Sequence, residues 1–381
     1  MRIENALFLT IKHGKGWRVV NNPMTKEYEN FIEMIPEEYQ QMYRRLKSVT
    51  QVLMKDAEPE VGPTPKEVIW TRNKTKLYRY ISEQPKKHKT PLLLIYALIN
   101  KPYIMDLTKG GSLVEYLVNR GFDVYLLEWG TPGIEDKNMK LDDYIMDYIP
   151  RAVRKVLRKS NVDAVSILGY CMGGTITSIF AALHPELPIR NLVFMTTPFD
   201  FEDSGLYGAM LDEQHFDIDK VVQTYGNIPP EMIDFGNKLL KPMANIYGPY
   251  VSLFDRAENE SFITSFKLLQ KWLNDGIPFP GESYRQWIRD FYQKNKLIKG
   301  ELVIRGRQVS LAEITANVLN LSGEMDNIAP PHQVEALMNR ISSKDKQYIN
   351  LPVGHTSIAF GSKASKITYP TIGDWLEERS N

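Results

Sequence analysis

The stretch Ser166-Ile167-Leu168-Gly169-Tyr170-Cys171-Met172-Gly173-Gly174-Thr175 decides the fold. Apolar residues 164–168 predict a buried strand that runs into this stretch, and the residues after it favour a helix. Glycine stands two residues before and two residues after Cys171, as in a tight strand-to-helix turn that strains the backbone of its central residue. The pattern predicts an exposed nucleophile at Cys171. The alternative is an inert buried cysteine at a strand-helix junction.

Strand and helix patterns alternate on both sides of this turn. Buried strands are predicted at residues 92–98, 123–129, 164–168, 191–195, 317–321 and 347–351, and helices at 113–119, 144–158, 332–341 and 372–378. Two further strands are predicted at residues 68–71 and 77–81. This order predicts an α/β fold with a mostly parallel central sheet and helices on both faces.

An acid and a histidine follow the last two predicted strands. Asp326 comes shortly after the strand that ends at Leu321, and His355 shortly after the strand that ends at Leu351. The order nucleophile, acid, histidine is that of the α/β-hydrolase fold, so Asp326 and His355 are predicted to complete a catalytic triad with Cys171. A turn-forming role is the alternative for Asp326. His355 is selected by elimination, because the other five histidines fall on predicted surface helices, linkers or the amino-terminal arm.

Two backbone N–H groups are predicted to stabilise an oxyanion. The N–H of Met172 follows the nucleophile directly, and the loop after the strand at residues 92–98 supplies a second donor in this fold, for which Ile99 is the candidate. A purely structural role for that loop is the alternative.

The amino-acid composition argues against several kinds of ligand. The 381 residues include 47 Lys+Arg and 46 Asp+Glu, a net charge of +1, so nucleic acid is not an expected ligand and any anion must be bound by a local patch. Cys171 is the single cysteine, and the six histidines show no ligating i,i+4 pair, so no metal is expected. No apolar run reaches the roughly 20 residues of a membrane span, which predicts a cytoplasmic protein.

The chain is predicted to divide into three parts. Residues 1–65 form an amino-terminal arm with an amphipathic helix over residues 38–53, which packs on its own domain or docks a partner subunit. Residues 66–200 and 301–381 form the α/β-hydrolase core, and the aromatic-rich residues 201–300 form an inserted cap. Residues 1–23 precede a second methionine, Met24, and are either a start-site artefact or a genuine arm.

A cysteine nucleophile favours acyl transfer. A thiolate that attacks an acyl thioester makes another thioester, an exchange close to energetic neutrality, so the acyl-enzyme stays reactive toward an alcohol. Cysteine hydrolases of the same fold leave hydrolysis open as the alternative.

Three segments resemble one family closely: residues 94–107 (LIYALINKPYIMDL), the elbow Gly169-Tyr170-Cys171-Met172-Gly173-Gly174, and residues 281–287 (GESYRQW). They resemble polyhydroxyalkanoate synthases, in particular the catalytic subunit of class IV enzymes, from about Glu33 to Asn381. The resemblance implies polymerisation of (R)-3-hydroxyacyl-CoA, typically 3-hydroxybutyryl-CoA, into a polyester with release of coenzyme A, which is part of the substrate rather than a cofactor. By that analogy Cys171 carries the growing chain, His355 deprotonates it, and Asp326 assists either His355 or the incoming 3-hydroxyl.

The resemblance also implies partners. A small regulatory subunit of the PhaR type and the surface of polyester granules are expected, and homo-oligomerisation is left open. Asn327 stands where many relatives have a second histidine, and residues 1–23 match nothing in the family pattern. The alternatives to polyester synthesis are a cysteine-dependent acyl-CoA thioesterase or lactone hydrolase, and a granule-binding scaffold with a vestigial site.

Overall fold

A computed structural model describes residues 10–13, 16–19, 36–54 and 59–381 of the chain. The chain divides into two compact units. The larger comprises Glu60–Pro242 and Trp272–Asn381, and the smaller comprises Met1–Pro59 and Met243–Lys271. The residues predicted to form the cap therefore contribute to both units.

The larger unit is built on an eight-stranded sheet. Its strands are β3 (Lys66–Arg72), β4 (Thr75–Tyr80), β5 (Leu92–Ile95), β6 (Val124–Glu128), β7 (Val165–Tyr170), β8 (Ile189–Met195), β11 (Asn317–Gly323) and β12 (Lys346–Leu351). They lie in the order β12-β11-β8-β7-β5-β6-β4-β3. All neighbours from β12 to β6 pair in parallel, and β3 and β4 are antiparallel. The predicted, mostly parallel sheet is confirmed. Because β5 and β7 are buried along their whole length, both faces of the sheet centre are covered.

Helices connect these strands. They are α2 (Leu113–Asn119), α3 (Leu141–Asp143), α4 (Ile149–Ser160), α5 (Met172–Leu183), α6 (Gly205–Leu211), α7 (Ile218–Tyr225), α8 (Pro230–Leu239), α11 (Gly281–Gln286), α12 (Lys296–Lys299), α13 (Pro331–Glu335) and α14 (Tyr369–Glu377), with α10 (Glu260–Asn274) ending in this unit. Short 3₁₀ helices cover Pro102–Asp106, Ile134–Asp136, Leu311–Glu313 and Ala336–Asn339, and π-helical turns cover Tyr144–Tyr148, Trp287–Gln293 and Ala364–Thr368. A two-stranded hairpin joins β9 (Val303–Ile304) to β10 (Arg307–Gln308).

Some predicted boundaries were wrong. The apolar run at residues 92–98 is strand only as far as Ile95, because the chain then turns beneath the start of α5 and is held there by the Trp129 indole, which donates to the Tyr96 carbonyl (2.9 Å). The helix predicted at residues 144–158 begins as a π-helical turn and continues to Ser160. Burial of a loop produces the same apolar run as burial of a strand, so periodicity alone does not separate them.

The smaller unit contains two paired strands, β1 (Thr10–His13) and β2 (Gly16–Val19), and helices α1 (Glu37–Met54) and α9 (Gly248–Asp255), a π-helical turn at Met243–Tyr247 and most of α10. Within it, the Arg45 guanidinium lies 6.0 Å from the ring centroid of Phe254, and Arg44 and Glu258 pair at 4.0 Å. Apart from β1 and β2, the segment in the start-site hypothesis, residues 1–23, lies outside the described residues.

Candidate active site

Cys171 lies at the turn between β7 and α5. Its backbone has φ 53° and ψ −131°, a conformation that residues other than glycine rarely adopt. The carbonyl of Cys171 accepts from the N–H of Gly174 (2.9 Å), and its own N–H donates to the Met195 carbonyl (2.9 Å). These bonds hold the strained turn in place, and Cys171 is partly exposed.

The glycines of the turn are required by close packing. A Cβ on Gly169 would lie 2.4 Å from the Cα of Gly174. A Cβ on Gly173 would lie 2.5 Å from the Ile95 carbonyl oxygen, and one on Gly174 would lie 2.0 Å from Thr197 Oγ1. Only glycine allows α5 to start this close to β5 and β7, and this closeness places Cys171 at the carboxyl edge of the sheet.

His355 and Asp326 meet at the same edge. Asp326 follows β11 and His355 follows β12, and their two loops are tied together by the N–H of Met325, which donates to the Val353 carbonyl (3.0 Å). The Asp326 carboxylate lies 2.7 Å from His355 Nδ1 through Oδ2. Cys171 lies close enough to the imidazole of His355 to raise the pKa of His355. The three predicted side chains therefore form one connected chain of contacts.

Both oxygens of the Asp326 carboxylate have hydrogen-bond partners. Its Oδ1 accepts from the N–H groups of Ile328 (2.8 Å) and Ala329 (3.0 Å), while Oδ2 faces His355. Its side chain is completely buried. A buried carboxylate held by three partners is a rigid support for an imidazole.

The charge of this site favours a protonated His355. Burial alone would lower the pKa of His355, but the Coulombic attraction of Asp326 and of Cys171, together with hydrogen bonds to both, raises it well above its usual value. An imidazolium that contacts a sulfur nucleophile is the arrangement that holds a proton ready for a leaving group.

Four tyrosines lie near the nucleophile: Tyr96 and Tyr170 belong to motifs visible in the sequence, whereas Tyr207 and Tyr292 belong to none. Burial raises the pKa of Tyr96, Tyr170, Tyr207 and Tyr292, and the neighbouring Cys171 raises it further. Tyr170 also donates its hydroxyl to the backbone carbonyl of His355 (2.6 Å). Neutral hydroxyl groups therefore line the site. Tyr170 directly precedes Cys171, whereas Tyr96, Tyr207 and Tyr292 are distant in the chain and come near Cys171 only in the fold.

The two predicted oxyanion donors, Met172 and Ile99, lie in different surroundings. Met172 is the first residue of α5, so its N–H lies among the helix N-terminal donors that lack an intrahelical acceptor. Ile99 lies in the loop after β5, where its carbonyl accepts from the Ile277 N–H (3.0 Å). The assignment of Ile99 as second donor stays a prediction.

The loop that contains Ile99 is anchored along its length. Its Asp106 carboxylate accepts from the hydroxyls of Thr64 (2.7 Å) and Ser112 (2.7 Å), and the Lys101 carbonyl accepts from the Trp272 indole (2.8 Å). The loop thus has a structural role in addition to any catalytic one. Among the described residues no group of three or more His, Cys, Asp or Glu side chains could hold a metal ion.

Comparison with known proteins first gives the class. A family profile for the alpha/beta hydrolase fold matches residues 90–361, and the solved structure of a candidate lipase from Sulfolobus solfataricus covers 85% of this chain and 99% of its own at 13% identity and a TM-score of 0.51. The protein has the α/β-hydrolase fold, as predicted. None of the described helices is long and apolar enough to cross a membrane.

Relatives of higher sequence identity show the family to which the chain belongs. The profile of the poly-beta-hydroxybutyrate polymerase (PhaC) N-terminus matches residues 27–117. The chain is 40% identical to the poly(3-hydroxyalkanoate) polymerase subunit PhaC of Haloferax mediterranei, over 85% of this chain and 66% of that protein. It is 38% identical to the PhaC subunit of Allochromatium vinosum over 88% of this chain and 95% of the relative, and 37% identical to that of Synechocystis over 84% and 86%. The chain belongs to the PhaC family of poly(3-hydroxyalkanoate) polymerases, which are acyltransferases.

Proposed function

We propose that the protein polymerises (R)-3-hydroxyacyl-CoA, typically 3-hydroxybutyryl-CoA, into a polyester and releases coenzyme A through acyl-cysteine thioesters. The observation that carries the proposal is the contact of His355 with both Cys171 and Asp326 at the strained turn, in a chain of the PhaC family. No cofactor is needed for this chemistry, because coenzyme A arrives as part of the substrate.

The first step is transfer of the acyl group to the enzyme. The Cys171 sulfur attacks the thioester carbonyl, and the oxygen that becomes negative is stabilised by the N–H of Met172, with Ile99 as the proposed second donor. The carbon–sulfur bond to coenzyme A then breaks. The departing thiolate takes a proton from His355, so a new thioester on Cys171 replaces the old one.

The second step forms the ester bond. His355, now neutral, accepts the proton of an incoming 3-hydroxyl, whose oxygen attacks the acyl carbonyl held on Cys171. A carbon–oxygen ester bond forms, the bond to the Cys171 sulfur breaks, and the thiolate is restored beside a protonated His355. Buried Tyr96 and partly buried Tyr292 lie near Cys171 and limit the entry of water, and this favours an alcohol over hydrolysis.

Asp326 serves this cycle by orienting His355. Both carboxylate oxygens already have partners, one in His355 and one in the backbone N–H groups of Ile328 and Ala329. This arrangement supports assistance to the imidazole rather than direct deprotonation of the 3-hydroxyl.

The finer assignment is a class IV catalytic subunit that acts with a small regulatory subunit. Its support is an apolar stripe on α1, the side chains of which are about half exposed: Tyr39, Met42, Leu46 and Leu53. A stripe of exposed apolar side chains at this spacing favours docking of a partner. Association with the surface of the insoluble polyester, in the cytoplasm, would follow from the product, and homo-oligomerisation is part of the same proposal.

The function is tested by measuring coenzyme A release from (R)-3-hydroxybutyryl-CoA while polymer and free 3-hydroxybutyrate are quantified separately, with and without a small subunit of the PhaR type. Insoluble polymer that disappears in Cys171→Ala, with unchanged circular dichroism, is the expected result. Release of coenzyme A with free acid alone would indicate a thioesterase. No release in either condition would leave a scaffold, or an enzyme that uses a different acyl donor, as the remaining functions.

The partner is tested separately by co-purification with the small subunit. Met42→Gln combined with Leu46→Gln should abolish capture, whereas Gln41→Ala, an exposed change on the same helix, should not. Equal capture by both variants would remove α1 as the docking site without affecting the proposed chemistry.

A further inference from the structure

Helix α4 lines a cationic cavity outside the catalytic site. The cavity has a volume of about 310 Å³. Its lining residues are Trp70, Met146, Asp147, Arg151, Arg154, Lys155 and Arg158. Arg151, Arg154 and Arg158 are exposed, and Lys155 is half-buried. Four cations therefore face one concave surface of a chain whose net charge is only +1.

These cations form no close ion pair, although Arg151 attracts the Asp147 carboxylate and contributes to lowering the pKa of Asp147. Over residues 59–381, no carboxylate forms an ion pair within 4.0 Å of Arg151, Arg154, Lys155 or Arg158. The acid in the lining, Asp147, is paired with Arg305 (2.7 Å), whose hydrogen bond lowers the pKa of Asp147. Like charges three and four residues apart on a helix repel one another, so the cluster destabilises the free protein unless an anion is bound.

The cavity lies away from the nucleophile. Trp70 pairs with Leu77, which pairs with Leu127, then Ile95 and finally Gly169, two residues before Cys171. Four strand spacings, about 19 Å, separate Trp70 from Gly169 across the sheet, and no lining residue of the cavity belongs to the predicted triad. The cavity is therefore distinct from the thioester site and does not depend on the proposed polymerase reaction.

The spacing of the cations indicates the kind of anion. Arg151 and Arg158 are separated by seven residues of helix, about 10 Å along the axis, which is longer than a single phosphate group. Guanidinium groups bind phosphate oxygens in pairs, and Lys155 adds a point charge between them. Trp70 and Met146 also line the cavity, and its volume of about 310 Å³ has room for a slender anion.

We propose that this cavity binds a linear oligophosphate, as the free anion or as the phosphate chain of a larger molecule. A second cavity of about 810 Å³ shares Arg158 and adds Lys89 and Arg190 to its lining, together with Asp163 and with Asp123, which is paired with Lys86. A longer chain of phosphates would meet Lys89 and Arg190 there. Binding would relieve the repulsion along α4.

The probe is inorganic triphosphate, titrated into the full-length protein by calorimetry at low and moderate salt. Wild type should bind it, and Arg151→Ala combined with Arg154→Ala should weaken binding at least about tenfold, since hydrogen bonds to charged groups are removed. The matched control is Lys109→Ala combined with Lys344→Ala, which removes two charges from exposed positions elsewhere and should change the affinity less than about twofold. Orthophosphate should bind at least about tenfold more weakly than triphosphate.

Three results would overturn the proposal. The first is that wild type does not bind triphosphate. The second is an equal loss of affinity in the control variant, which would indicate non-specific charge attraction. The third is binding of phosphatidylglycerol vesicles that depends on Arg151 and Arg154 while triphosphate does not bind. Circular dichroism and thermal melting of each variant separate loss of binding from loss of fold. Because all four substituted side chains are exposed, the variants should melt like wild type.

Discussion

The hydroxyl of Tyr170 donates a 2.6 Å hydrogen bond to the backbone carbonyl of His355. Tyr170 immediately precedes Cys171 and is fully buried, and its ring lies 5.7 Å from the His355 ring. Tyr170 of the elbow thus fixes the backbone of His355, which in turn acts on Cys171, the neighbour of Tyr170. The nucleophile turn and the histidine loop are therefore positioned relative to each other by a side chain as well as by the sheet.

Tyr170→Phe should lower kcat by about fivefold, as expected for loss of a hydrogen bond worth about 1 kcal/mol, with little change in KM. The ring stays in place, so packing is kept and only the position of His355 relaxes. Steady-state kinetics over a pH series measures this, because a mispositioned imidazole also shifts the pH profile. A fall in thermal stability with unchanged kcat would show that the bond is structural only. Tyr348→Phe, which removes a hydroxyl bonded to Ser322 (2.8 Å) outside the triad, is the control.

Asp326→Asn should reduce kcat by about 100-fold or more, because the amide no longer stabilises an imidazolium and favours the wrong imidazole tautomer. The measurement is coenzyme A release together with acylation of Cys171 by a slow substrate. If Asp326 acted only on the 3-hydroxyl, acylation would stay fast and only polymer growth would fail. Asp106→Asn removes another buried carboxylate and should cost stability without this kinetic signature.

The sequence predicted the sheet and the triad because both leave local signals. Gly169, Gly173 and Gly174 are steric requirements that lie within six consecutive residues, and Asp326 and His355 each follow an apolar strand. The order of neighbours in the sheet then brings the carboxyl ends of these strands together, so proximity in space follows from position in the chain.

The remainder of the site depends on contacts between distant residues. Tyr207 and Tyr292 reach the neighbourhood of Cys171 from segments with no motif, and the cations of α4 become a cavity only when Trp70 lies beside them. The predicted end of β5 was wrong for a related reason. Tyr96 is buried because the elbow covers it, and not because it belongs to a strand.

The stability contributed by His355 should decrease as pH rises. Its pKa in the folded protein lies well above the value of about 6.5 for an unfolded histidine, so the protonated form is favoured by folding. This contribution is complete below about pH 6.5 and is lost as pH rises through the folded-state pKa. Urea unfolding should therefore show a larger difference between wild type and His355→Gln at pH 6 than at pH 10. An equal difference at both would contradict the raised pKa, and His215→Gln, at an exposed position, is the control variant.

Gly173→Ala should prevent the elbow from forming. The added Cβ would lie 2.5 Å from the Ile95 carbonyl oxygen and 2.6 Å from the Tyr96 carbonyl carbon, both backbone atoms of the buried segment that cannot withdraw. We expect a loss of more than about 3 kcal/mol in the free energy of unfolding, measured by urea denaturation, or failure to yield folded protein. Gly208→Ala is the matched control, because its Cβ would meet only the Ser204 Cβ at 3.6 Å and alanine favours the helix there. If both variants unfolded at the same urea concentration, close approach of α5 to β5 would not be what makes glycine necessary at the turn.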